Sequence, residues 1–133
     1  DYLQKGWQHI LQDKQIPEYA TIFRIHGPFL FGSTDKLDEV EDRIPELPPV
    51  VILRLRNMTA IDATGLHALE MLADKLHQSG RALLLCGAPW QPTKMIRRAE
   101  FERRVGPENI CENVEEALER AATVYQEMQA RPA

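Results

Sequence analysis

The chain has little of what marks specialised chemistry. It contains only two cysteines, Cys86 and Cys111, at no metal-binding spacing. A disulfide scaffold or zinc site is therefore not indicated, and nothing demands an oxidising compartment. It has no apolar run near the ~18 residues that a membrane helix needs, and no signal peptide. Positive charge is not in excess: 16 Lys and Arg stand against 20 Asp and Glu, a net charge of −4. That balance disfavours nucleic acid as the main partner, because no basic stripe could neutralise many phosphates. The small run Lys94, Arg97, Arg98 is offset by Glu100 and Glu102. Gly-x-Gly-x-x-Gly, the P-loop lysine motif and a serine nucleophile elbow are all missing. His67 and His77 lie ten residues apart on one predicted helix, too far to share a metal, and His9 and His26 have no evident co-ligands. The expectation is a non-catalytic chain without metal or cofactor.

What is present is ordinary globular material: 133 residues, 44% hydrophobic and 27% charged, enough for one domain with its own core. The chain begins at Asp1 rather than Met, which suggests a fragment of something longer or a processed tag. Residues 1–18 read as a lead-in, with Trp7, Ile10 and Leu11 on one face of a short helix that Pro17 ends. The domain proper is assigned to residues 19–130. Tyr19 to Ile25 reads as a strand, Gly27-Pro28 as a turn and Phe29-Leu30-Phe31 as a second short strand, together a hairpin. Ser33 or Thr34 can cap a helix carrying Leu37, Val40 and Ile44, which Pro45, Pro48 and Pro49 stop. Asp35, Asp38, Glu39, Glu41 and Asp42 give that helix an acidic, solvated face.

Val50 to Leu55 is apolar at five of six positions, which suits a strand covered on both faces. A loop through Asn57 and Thr59 leads to Ile61, and Leu66, Leu69, Leu72, Ala73 and Leu76 then mark a helix ended by Ser79-Gly80. Ala82 to Cys86 is a further buried strand. Trp90, after Pro89, is either a contact surface or half-buried packing. Pro92, Met95, Ile96 and Ala99 mark a short helix, and a short edge strand is placed near Asn109 to Cys111. Asn113 followed by Glu116 is a capping-box pattern opening a last helix. The order β-β-α-β-α-β-α-α predicts an α/β fold: one small mixed sheet with a parallel βαβ core and four to five helices packed on it.

One turn stands out. Asp62-Ala63-Thr64-Gly65 lies where a buried strand gives way to an amphipathic helix. The first N–H groups of a helix have no intrahelical partner and sit at the positive end of its dipole, so an anion, a nucleotide phosphate or a partner can be received there. Asp62 or Thr64 can also serve simply as the cap.

With its flanking residues, Ile61-Asp62-Ala63-Thr64-Gly65-Leu66, after the strand Val50 to Arg56, resembles the signature turn of STAS domains. That family includes bacterial anti-sigma-factor antagonists and the C-terminal domains of SulP anion permeases. In the antagonists the turn typically reads Asp-Ser-Ser-Gly and its second Ser is phosphorylated. The resemblance places Thr64, which keeps a hydroxyl, at that phospho-acceptor position; Ala63 departs from the pattern. Gly27-Pro28-Phe29-Leu30-Phe31-Gly32 is similar to the Gly-Pro-aromatic-Gly segment of SulP members. Cys86-Gly87-Ala88, with the helix ending Arg98-Ala99-Glu100-Phe101, resembles their loop and helix after that strand. The resemblance covers roughly residues 19 to 125.

It implies a regulatory, protein-docking domain at the cytoplasmic face of the membrane, within a SulP-type transporter of sulfate, bicarbonate or dicarboxylates. The implied partners are the transporter's transmembrane domain and a cytoplasmic protein, in a parent that can be a homodimer. The alternative is a free-standing anti-sigma-factor antagonist switched at Thr64. An α/β enzyme is a third reading; it needs a cleft with convergent polar groups, and the sequence offers only the one turn.

Overall fold

The computed structural model describes residues 16–29 and 35–131. Four strands form one sheet in the order β1-β2-β3-β4: β1 Ala20–Phe29, β2 Val50–Ile61, β3 Ala82–Cys86 and β4 Ile110–Cys111. Five helices accompany them: α1 Asp35–Asp42, α2 Ala63–Gln78, α3 Trp90–Ile96, α4 Ala99–Val105 and α5 Val114–Ala130. All three strand pairings are parallel. The α/β class and the βαβ core therefore hold, whereas the sheet expected to be mixed is parallel throughout the described residues.

The difference comes from one dipeptide. Gly27-Pro28 does not turn the chain into a hairpin; β1 runs through it to Phe29 while staying paired to β2. Gly27 uses its φ of +74° inside the strand, at the register irregularities between Arg24 and His26 and between His26 and Pro28. Only glycine takes that backbone angle cheaply, and a bulge needs it as much as a turn does. Pro28 cannot donate to a ladder, and β1, the edge strand among the described residues, tolerates that loss. Leu30 and Phe31 of the expected second strand Phe29-Leu30-Phe31, the Ser33 or Thr34 cap, and Trp7, Ile10 and Leu11 of the lead-in helix expected within residues 1–18 lie outside the described residues.

The strands bury both faces. On one, Phe23, Ile25, Val51, Leu53, Leu83 and Leu85 pack against Leu37 and Val40 of α1 and Leu69, Leu72, Ala73 and Leu76 of α2. Ile96, Phe101 and Val105 from α3 and α4 complete that core. On the other face, Ile22, Val50, Ile52, Leu84 and Cys86 meet Ala117, Ala121 and Val124 of α5. The small side chains of α5 let its backbone sit close to the sheet, and its far end is held by Tyr125 stacking on Tyr19 with ring centroids 4.4 Å apart. Asn113 caps α5 by accepting from Glu116 N–H at 2.9 Å, and the Glu116 carboxylate reaches back to Glu112 N–H at 2.8 Å.

Two boundaries differ from expectation. The loop expected through Asn57 and Thr59 is strand, because β2 stays paired to β1 as far as Ile61. The single helix expected after Pro92 is two, broken at Arg98, whose ψ of 144° is extended. The break lets Ile96 and Phe101 both reach the core.

Candidate functional site

The extension of β2 is what presents the Asp62 turn. β3 ends at Cys86, opposite Arg54, so the last residues of β2 have no strand on that side. The Gln91 side chain takes its place. Its amide nitrogen donates to Ile61 O at 2.9 Å and its amide oxygen accepts from Ile61 N–H at 2.9 Å. One side chain thus satisfies both backbone groups of the residue before the turn, as a neighbouring strand would. Sequence reasoning did not single out Gln91; a glutamine between Trp90 and Pro92 carries no signal of such a role.

Asp62 follows in extended backbone, φ −111° and ψ −176°, and is the N-cap of α2. Its Oδ1 accepts from Gly65 N–H at 2.8 Å, and its carbonyl accepts from Leu66 N–H at 2.9 Å. Of the two cap candidates, Asp62 fills the role and Thr64 does not. Ala63 and Thr64 are exposed on the first turn of α2, while Gly65 is buried beneath them. The four residues of the expected site are therefore contiguous but divided. Asp62 and Gly65 build the corner; Ala63 and Thr64 face outward. The Asp62 carboxylate also counters part of the positive charge at this helix end.

Trp90 stands beside this corner, adjacent to Gln91, and is 76% exposed. The ammonium of Lys94 lies 5.4 Å from its ring centroid. A ring this exposed contributes little to the core, so the half-buried packing reading does not hold.

Other candidates are used structurally. Glu41 of the acidic helix pairs with Lys75 at 2.9 Å, tying α1 to α2. His67 and His77 are exposed, and His26 Nδ1 lies 3.3 Å from the Asn57 side-chain nitrogen. Among the described residues, no group of three His, Cys, Asp or Glu side chains is placed to hold a metal ion. Among them, too, no helix is long and apolar enough to cross a membrane. A cleft of about 380 Å³ lies between α3 and the β3–β4 edge, lined by Cys86, Thr93, Arg97, Cys111 and Glu112 among others. Arg97 there is engaged by Glu102 at 2.8 Å and Ile110 O at 3.1 Å, and Thr93 Oγ1 donates to Ala88 O at 2.8 Å. Burial pushes the Cys86 thiol up to about 12, with the neighbouring Cys111 adding to the shift, so this sulfur is a protonated core atom and not a nucleophile.

A parallel sheet whose central strand hands over to a capped helix, with an exposed hydroxyl and an exposed indole at that corner, defines an α/β module built around one surface turn. The chain belongs to the STAS domain family, whose model matches residues 12–117. Among solved structures it is similar to a sulfate transporter family protein from Wolinella succinogenes, with 36% identity and a TM-score of 0.77, over 86% of this chain and 94% of that one. It is also similar to the SulP transporter STAS domain from Vibrio cholerae, with 26% identity and a TM-score of 0.71, over 93% and 98% of the two chains. A curated relative is the low affinity sulfate transporter 3 of Stylosanthes hamata, 29% identical over 86 residues. That match takes in 62% of this chain but 13% of the transporter. The chain spans at most a fifth of the curated relatives it matches, 13% and 20% of their lengths.

Proposed function

We propose that this chain is the regulatory and docking domain of a SulP-type anion transporter, held at the cytoplasmic face of the membrane and not itself catalytic. The carrying observation is the 36% identity to a sulfate transporter family protein across 86% of the chain. The geometry supplies the means. The Asp62 cap and the Gln91 clamp fix the corner, while Ala63, Thr64 and Trp90 offer it to the transporter's membrane domain or to a cytoplasmic protein. The transported anion belongs to the sulfate, bicarbonate or dicarboxylate class, and the parent works as a homodimer.

Phosphorylation of Thr64 would add about −1.5 to −2 charges at the opening turn of α2, where the dipole favours them. The fold would be unchanged and the docking surface made more negative. An antagonist of an anti-sigma factor would use the same hydroxyl. The Gly27-Pro28 segment and the transporter identity favour the first reading.

Fractionation of the source cells, probed with an antibody to this chain, tests it. A membrane-fraction band that resists alkaline extraction and runs well above 15.2 kDa is expected. A band near that mass, confined to the supernatant, would replace the transporter reading with the free-standing one.

A further inference from the structure

Arg24 of β1 and Arg54 of β2 are register partners on adjacent parallel strands, both two residues beyond the buried pair Ile22 and Ile52. Side chains two apart share a sheet face, so both arginines rise from the face that carries α5. The same row continues through Cys86 and Cys111. Among the described residues, α5 is the only helix in the core on this face, and it lies over β2, β3 and β4. Toward β1 the row is arginine.

This arrangement is costly as it stands. Like charges directly across adjacent strands repel. Both residues are partly buried, and Arg56 is close enough to add to the repulsion felt by Arg54. Desolvation, then Arg24 and Arg56, lower the Arg54 pKa from its ordinary value. Among the described residues neither Arg24 nor Arg54 has a carboxylate within ion-pair distance; the ion pairs Lys75–Glu41, Arg97–Glu102, Arg103–Glu100 and those of Arg104 with Glu70 and Asp74 all lie elsewhere. Moreover, Arg24 Nε is fully buried and has no hydrogen-bond partner among the described residues. A buried donor left unmade costs more than the average hydrogen bond gains.

We propose that the Arg24–Arg54 pair is an oxyanion-binding site. Two guanidinium forks on neighbouring strands suit a centre bearing several acceptor oxygens, which can take a bidentate contact from each. Inorganic sulfate, inorganic phosphate and the phosphate of a lipid headgroup share that chemistry. Bound there, the anion relieves the arginine repulsion and gives Arg24 Nε–H its acceptor. The site is separate from the Asp62 corner, and it stands whether or not that corner docks a partner.

Calorimetry of the whole chain at fixed ionic strength, with sodium sulfate and sodium phosphate against sodium chloride, tests the free-anion form. Sedimentation with phosphatidylcholine vesicles, with and without phosphatidic acid, tests the headgroup form. Saturable binding in either arm, weakened about tenfold or more by both Arg24→Gln and Arg54→Gln and unchanged by Arg97→Gln, supports the site and assigns its ligand. Affinity unchanged in both glutamine variants, or no binding in either arm, overturns it. Should a glutamine variant unfold, the Arg24 Nε–H resonance of the wild-type chain decides. A saturable shift with phosphate or phosphatidic acid vesicles supports the site, and an unmoved resonance refutes it.

Discussion

Replacing Asp62 with alanine removes the acceptor that holds Gly65 N–H at 2.8 Å. Loss of an N-cap costs about 1 kcal/mol, within a range of roughly 0.5–2. The carboxylate also interacts favourably with the helix dipole, about 0.3–1 kcal/mol at a partly exposed site. Together the loss is about 1–2 kcal/mol. An unfolding entropy of about 2.1 cal/mol/K per residue implies a fall of roughly 4–7 °C in Tm for a chain of 133 residues. Thr64→Ala, two residues on, changes an exposed side chain that caps nothing and stays within about 0.5 kcal/mol of wild type. Thermal melts followed by circular dichroism separate the two. Equal losses in both variants, or the larger loss at Thr64, would mean that Thr64 is the cap and its hydroxyl is not free for a partner or a phosphate.

Leu69→Ala, at a fully buried position of α2, lowers stability by about 2–5 kcal/mol in urea melts. Gln91→Ala strips Ile61 of both its side-chain hydrogen bonds and costs about 1–3 kcal/mol; hydrogen exchange at the Ile61 amide accelerates selectively. Thr21→Val removes a buried hydroxyl that has no hydrogen-bond partner among the described residues and raises stability by about 1 kcal/mol, where a loss would reveal a further partner. The raised Cys86 pKa means that the unfolded chain loses this proton before the folded one does. Stability therefore falls as pH rises from the ordinary thiol value near 9 toward about 12, by up to about 1.4 kcal/mol per pH unit, and Cys86→Ala removes that component.

The parts of the fold carried by long apolar periodicity were legible in the chain. The run Val50 to Leu55, the α2 stripe from Leu66 to Leu76 and the Asn113–Glu116 cap each allow one outcome. Gly27-Pro28 was not legible, because positive φ and a missing N–H serve a hairpin turn and an edge-strand bulge equally well; only the partner strand decides. The end of β2 was hidden for a related reason. Asn57 and Thr59 look like loop, yet they are exposed positions of a strand whose Met58 and Ile61 are buried. At the site, spacing located the turn but could not choose Asp62 over Thr64 as its cap. The Gln91 clamp joins residues 30 apart in sequence, and the Arg24–Arg54 pair also depends on strand register. Neither leaves a local pattern to read.

The docking role proposed for the Asp62 corner is tested most directly by the amide spectrum of the labelled chain, titrated with the membrane domain of the proposed parent transporter in detergent. The account predicts broadening centred on the amides of Ala63 and Thr64 and on the Trp90 indole, reduced by Thr64→Glu. Broadening confined to the outer face of α5, or a spectrum unchanged at saturating membrane domain, would contradict it.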